Sequence, residues 1–358
     1  MGKSFKKILL VRLSAIGDVV NALPSVSVIR DVFPDASISW LVEDRASDLL
    51  RHHPGLDNLF VFERRRIQSN MRNPCHWISG IREALSLIRS LRRTGFDLAV
   101  DFHGNLKSGV LTWLSGAGTR IGYSRRFSRE GNFLFMNSHV SPPAGPILRV
   151  ERYMSLLAPL GVSQARPSAD LPELAETAGR IEQIFKDADL QENRFVVLHP
   201  GTSTFGSIKR WPAHYYASLG DRIMRELDLP VVLTHGPGEL HMAESVRTGM
   251  KAPAFISPSL SLAEMSSLLR RTLVFIGADT GPMHMASALG VPVVGIYGPK
   301  DPVIYGPGFG SSRVARLGIP CSPCTKRSCD DPRCLTDLVP DMVFDEVVSL
   351  LDEVFRGT

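Results

Sequence analysis

No stretch of this 358-residue chain approaches the ~20 consecutive apolar residues that span a bilayer. No G-x-x-x-x-G-K-[ST] is present, which excludes a P-loop enzyme, and no G-x-G-x-x-G follows the first predicted strand, which removes the dinucleotide fingerprint. G-x-S-x-G and H-E-x-x-H are also missing, so neither a hydrolase elbow nor a zincin metal site is expected. Aromatic residues make up only 8% and are not interleaved with basic ones, which argues against nucleic acid as a partner. Cysteine is sparse. Cys75 stands alone, while Cys321, Cys324, Cys329 and Cys334 form C-x2-C-x4-C-x4-C without the second close pair of a zinc ribbon. That spacing leaves a bound zinc or iron–sulfur group and a set of reduced thiols both open.

Acidic charge is scarce in the first half. Residues 1–160 carry 22 Lys and Arg against 13 Asp and Glu, whereas the remainder carries 19 against 23. A basic half joined to a mildly acidic one implies that the first half meets something negative. Two clusters hold the excess: Arg64, Arg65, Arg66 and Arg72, then Arg120, Arg125, Arg126 and Arg129. The basic start "MGKSFKKILLVRL" is interrupted by Arg12 and reads as a first strand, not a signal peptide, so a cytoplasmic location is expected.

What is present is an alternation of strand and helix patterns. Lys7–Leu13, the run "ASISWLV", Phe96–Phe102 and "RIGY" read as strands. Val19–Val32, Ala84–Arg93 and Val110–Leu114 read as helices. The second half repeats the pattern through "RFVVLHPG", "PAHYYASLGDRIMREL", "PVVLTHGPG", "AFISPS" and Leu262–Arg271. Twice-repeated βα units predict two α/β domains, each with a doubly wound parallel sheet, over residues 1–170 and 171–342. The terminal amphipathic stretch Val343–Phe355 is an element able to pack back on the first domain. Two such domains facing each other would form a cleft lined by strand C-termini.

Those strand ends carry the chemistry. The stretch "TLVFIGADTGPMHMASALGVPVVGIYGP" predicts a strand at Leu273–Ile276, a polar loop, a helix from Pro282 to Gly290 and a strand at Val291–Ile296. It delivers Asp279, Thr280, Gly281 and His284 to a helix N-terminus, where amide N–H groups favour a phosphate. Lys209 in "SIKRWP" can neutralise charge on a leaving diphosphate, and Thr202 and Ser203 can donate hydroxyl bonds to it. Glu239 can accept from ribose hydroxyls, and Leu260 and Met283 are either apolar contacts to a base or core packing. His199 reads as a structural histidine closing its strand. Asp18, at the end of the first strand, is either an N-cap or a general base. A helix N-terminus makes it a weak base, which suffices when the transition state resembles an oxocarbenium ion.

The segments "RLSAIGDVVNALP", "DFHGNLKS", "LHPGTSTFGSIKRWP" and "GADTGPMHMASALGVPVVGIYGPKDP" together resemble glycosyltransferase family nine, the bacterial lipopolysaccharide heptosyltransferases. The resemblance runs across nearly the whole chain. The stretches around Arg64–Arg66 and "KSGVLTWLSGAGTRIGYSRRFSREG" look most like the members that add the first heptose to Kdo. The four-cysteine segment looks more like some second-heptose members. The family implies a GT-B fold, with two facing Rossmann-like domains, and inverting transfer from ADP-L-glycero-β-D-manno-heptose without a catalytic metal or cofactor. It matches Asp18 to the catalytic base and Lys209 to the donor's phosphates and sugar. Asp279 matches the heptose hydroxyls, and Thr280, Gly281 and His284 match the diphosphate loop. Arg64, Arg65, Arg66, Asp101, Gly104, Lys107 and Arg125 fall on the acceptor side. The implied partner is a lipid A–Kdo acceptor at the inner-membrane surface, with no transmembrane segment. Another nucleotide-sugar transferase of this fold, and a nucleotide-sugar-binding protein without catalysis, remain alternatives.

Overall fold

The computed structural model describes residues 4–72, 77–162 and 168–356; the side chains of Arg65, Met71, Arg72, Thr204 and Phe205 lie outside that description, as do Cys75 and part of the expected linker. The chain divides into two units, Met1–Pro172 and Glu173–Thr358.

The first unit holds a sheet of β1 (Lys7–Val11), β2 (Ser37–Glu43), β3 (Asn58–Phe62), β4 (Leu98–Asp101), β5 (Thr119–Tyr123) and β6 (Ser138–Val140), in the order β3-β2-β1-β4-β5-β6. The second holds β7 (Val196–His199), β8 (Val231–Leu233), β9 (Phe255–Ile256), β10 (Val274–Ala278), β11 (Val293–Tyr297) and β12 (Ser312–Arg316), in the order β12-β11-β10-β7-β8-β9. Every neighbouring pair is parallel. Both sheets are therefore doubly wound and reverse direction at one point, between β1 and β4 in the first and between β7 and β10 in the second. Ligands of such sheets bind where the strand order reverses. The central strands are apolar along their length because helices cover both faces, as in β1 (Ile8, Leu9, Leu10 and Val11, all fully buried).

Several sequence expectations need correction. Strands β3, β6 and β12 were not expected: β3 and β12 are edge strands with half-buried residues, and β6 has three residues, so their apolar signal is weak. The single helix expected over Val19–Val32 is two helices, Ile16–Ala22 and Pro24–Val32. Pro24 has no N–H to bond and its ring would meet the carbonyl four residues back, so the chain restarts there with proline in the first turn. The helix after β10 begins at Gly281 and ends at Ala288, with Gly290 in the left-handed region (φ +76°) just past its cap.

The terminal helix, Pro340–Arg356, sits in the core of the second unit, whereas the sequence left it free to join the first. Val343, Val347 and Leu350 are fully buried there with Phe344 and Leu351, at helical spacing. Leu350→Ala should therefore lower the unfolding free energy of the second unit by about 2–5 kcal/mol. Urea denaturation would show this; a loss below about 1 kcal/mol would remove the helix from that core.

Candidate active site

In the first unit, the loop leaving β1 carries Arg12, buried at 5% exposure. Its guanidinium lies 2.5 Å from Asp18 Oδ2, donates to Phe102 O at 3.1 Å beyond β4, and sits 5.1 Å from the Tyr153 ring centre. Arg12 thus ties together the two loops at the reversal point. Asp18 is in the first turn of Ile16–Ala22, but the helix has no side-chain cap, so it is not an N-cap. Its oxygens instead accept from Tyr153 Oη at 2.6 Å and face Arg149 Nη1 at 3.7 Å. Burial pushes the Tyr153 phenol well up, against the opposing pull of Arg12, so it stays protonated as a donor. The Asp18 side chain is about a quarter exposed (24%), open enough to receive a ligand hydroxyl.

The loop after β4 is built on Asp101. This residue is fully buried and accepts from the N–H groups of His103 and Gly104, from Ser108 Oγ and from Asn132 Nδ2. Burial raises its carboxyl above the usual range despite those donors. Gly104 has φ +73°, and a Cβ there would lie 2.8 Å from the Tyr123 ring. Asp101 and Gly104, expected on the acceptor side, hold the shape of the loop: the Asp101 oxygens accept from the Gly104 N–H and from neighbouring donors.

Lys107 does face a polar site. Its ammonium pairs with Glu43 at the end of β2, and Arg64 approaches the same carboxylate at 3.6 Å. Arg66 points elsewhere, to Glu83 at 3.1 Å, and Arg125 is exposed with its guanidinium 5.7 Å from the Phe133 ring centre. The Arg65 side chain lies outside the described residues. Sequence reading missed Arg12, Glu43, His103, Arg149 and Tyr153. Of these, Arg12, Glu43 and His103 stand inside segments that carry the family resemblance; Arg149 and Tyr153 are brought in by the fold.

In the second unit, the turn Thr204–Lys209 follows β7 and aims Lys209 at the loop after β10. Lys209 Nζ donates to Asp279 O at 2.6 Å and to Oδ2 at 3.0 Å, while His284 Nε2 lies 3.2 Å from Oδ1. Burial pushes the Asp279 carboxyl up, but the His284 hydrogen bond and the Lys209 charge outweigh it and hold it below the usual carboxylate range. Beside this triad the Thr280 hydroxyl is buried with no hydrogen-bond partner, at the N-cap of Gly281–Ala288. An unmatched buried hydroxyl, free helix amides and a nearby ammonium together make an anion cradle.

The remaining expectations divide. Glu239 lies between the β7 and β8 loops, accepting from Gly236 N–H at 3.1 Å and close enough to Gly201 that a Cβ there would clash with it. Thr202 is buried, its hydroxyl accepting from Arg210 Nε at 2.9 Å; Ser203 is exposed beside it, and Leu260 is half-buried. Met283 is fully buried, its sulfur 3.4 Å from Tyr297 Oη, so it is core and not a base contact. His199 bonds Thr234 Oγ1 at 2.9 Å inside the sheet layer. Cys321, Cys324, Cys329 and Cys334 are free thiols, and among the described residues no group of three or more His, Cys, Asp or Glu is arranged to hold a metal ion.

Comparison with known proteins gives a consistent picture. A family model described as glycosyltransferase family 9 (heptosyltransferase) matches residues 84–353. Lipopolysaccharide heptosyltransferase 1 of Pseudomonas aeruginosa is 30% identical, over 96% of this chain and 98% of its own length. A family 9 glycosyl transferase from Veillonella parvula superposes with a TM-score of 0.80 at 22% identity, over 99% of both chains. An Escherichia coli heptosyltransferase solved with ADP-2-deoxy-2-fluoro heptose gives 0.74 at 22% identity, over 96% and 99% of the chains. The GT-B fold expected from the resemblance is that of these structures.

A half-buried histidine, His103, and a buried one, His199, give the site regions a pH signature. Burial, then the charges of Arg12 and Lys107, lower His103 to about 3; burial, then His235, lowers His199 to about 4. Both are neutral when folded near neutral pH, whereas the unfolded chain protonates near 6.5. Below that value the unfolded state binds more protons, so stability falls with acidification until the folded values are reached. His199 should cost about 1 kcal/mol between pH 7 and 5.5. In urea titrations at those two pH values, His199→Gln should remove that part of the decline; an unchanged decline would show that His199 is already charged when folded.

Proposed function

The chain belongs to glycosyltransferase family 9, the heptosyltransferases, and we propose that it moves L-glycero-D-manno-heptose from ADP-heptose to Kdo of Kdo2-lipid A in the lipopolysaccharide inner core. The anion cradle carries this reading: Lys209, the orphan Thr280 hydroxyl and the N-terminus of Gly281–Ala288 suit a diphosphate. The 30% identity to a heptosyltransferase 1 favours Kdo over an already heptosylated acceptor.

In the proposed reaction the first unit supplies the base and the second holds the donor. A Kdo hydroxyl oxygen attacks the anomeric carbon of heptose with inversion, its proton passes to Asp18, and the bond to ADP breaks. Arg12, Arg149 and Tyr153 keep Asp18 aimed and charged until the proton arrives late in the step. The leaving diphosphate is stabilised by Lys209, Thr280, Gly281 and His284, with Ser203 and Thr202 beside it. Asp279 takes heptose hydroxyls, Glu239 the ribose, and Leu260 the base. Lys107, Arg64 and Arg125, with Arg65, meet the acceptor's carboxylates and phosphates. No catalytic metal or cofactor takes part in the proposed step. The protein works on the cytoplasmic side of the inner membrane, associated with its surface.

Three measurements bear on this. Asp18→Asn should retain ADP binding while lowering acceptor-dependent ADP release by about 10²–10⁴-fold; release near wild type would remove Asp18 as the base. Wild-type ADP release should be faster with Kdo2-lipid A than with heptosyl-Kdo2-lipid A, and the reverse order would make the protein a second-heptose enzyme. Tight UDP binding without ADP binding would overturn the donor assignment.

A further inference from the structure

The helix Trp77–Thr94 presents two apolar faces, and the fold uses one. Gly80 and Leu91 are buried against the unit, but Trp77, Ile78, Ile81 and Leu85 are 51%, 53%, 37% and 42% exposed. At about 100° per residue these four fall within an arc of about 100°, adjoining the buried side. Single exposed apolar residues need no explanation; four on one helix stripe, including a tryptophan at its end, form a patch that water covers poorly.

The charge around the stripe has one sign. On the same wheel Arg82, Arg89 and Arg93 line its outer edge, and all three are exposed. The neighbouring helix Arg64–Arg72 contributes four more arginines and no acid, and is pinned alongside by the Arg66–Glu83 pair at 3.1 Å. Glu83 is the one acidic residue in the two helices. An apolar stripe bordered by long cationic side chains is the pattern of a helix lying in a membrane interface, its apolar face among acyl chains and its arginines at anionic headgroups. A protein partner would need acidic groups around an apolar centre. A bilayer of anionic phospholipid supplies an apolar interior and a layer of negative charge together. No described helix is long and apolar enough to cross a membrane.

We infer that the face formed by Trp77, Ile78, Ile81 and Leu85, with Arg82, Arg89 and Arg93, is the surface by which the protein lies on an anionic phospholipid bilayer; the inference extends the reading of its acceptor as a lipid-linked sugar. The test uses full-length protein without nucleotide or sugar, sedimented with vesicles of phosphatidylglycerol and phosphatidylcholine or of phosphatidylcholine alone. Wild type should pellet with the anionic vesicles and at least fivefold less with the neutral ones. The triple variant Trp77→Ser, Ile81→Ser, Leu85→Ser should lose at least tenfold in partitioning. Arg82→Glu with Arg89→Glu should abolish the anionic preference. In a Trp113→Phe background, emission from Trp77 should shift to the blue on anionic vesicles, which a folding defect would not imitate. Wild type remaining in the supernatant, or a triple variant bound within twofold of wild type, would overturn the inference. So would a stable dimer in solution that the triple variant dissolves. Transfer to a water-soluble acceptor lacking acyl chains reports the reaction without a bilayer. Loss there would fault the functional reading and leave the vesicle result standing.

Discussion

A carboxylate held away from water must be met by a cation or by a full set of donors, and the functional loops of both units are organised by that requirement. Asp18 is met by Arg12, Glu43 by Lys107, Asp279 by Lys209 and His284, and Asp101 by four hydrogen-bond donors. Removing one partner from such a pair strands a buried charge at a cost of about 3–5 kcal/mol. The loops are thereby held to the positions that keep the pairs closed.

The sheets explain why these pairs form where they do. Each sheet reverses its strand order once, and there two loops that are distant in sequence run side by side. In the first unit Arg12 bonds across that reversal from the β1 loop to the carbonyl of Phe102. In the second, Lys209 after β7 reaches the carbonyl of Asp279 after β10. A basic side chain spanning the gap pins the loops together and places a cation at the mouth of the sheet.

The uneven charge of the chain has a structural counterpart. The arginines of the first unit do not form one field. Arg12 and Arg149 are turned inward on Asp18, Arg64 shares Glu43 with Lys107, and others border an exposed apolar helix face. One composition bias is therefore divided among an inward pair at Asp18, a shared carboxylate at Glu43 and an exposed helix face, and net charge alone does not separate these.

The doubly wound class, the polar loops at the strand ends and the helix N-terminus after β10 were determined by the sequence itself. Period, proline and glycine punctuation and helix N-termini are local, and a local signal survives without a fold. The family motifs likewise pointed to Asp18, Lys209 and Asp279. Only the tertiary structure decided what those residues face. Tyr153 is 135 positions from Asp18 and Lys107 is 64 positions from Glu43, separations at which no spacing rule operates. It also decided that the Asp101 carboxylate, in a motif that reads as functional, turns to donors of its own unit, because what a polar residue faces depends on neighbours the fold brings together. The edge strands and the placement of the terminal helix escaped for the same reason: half-buried or amphipathic segments are defined by what packs against them.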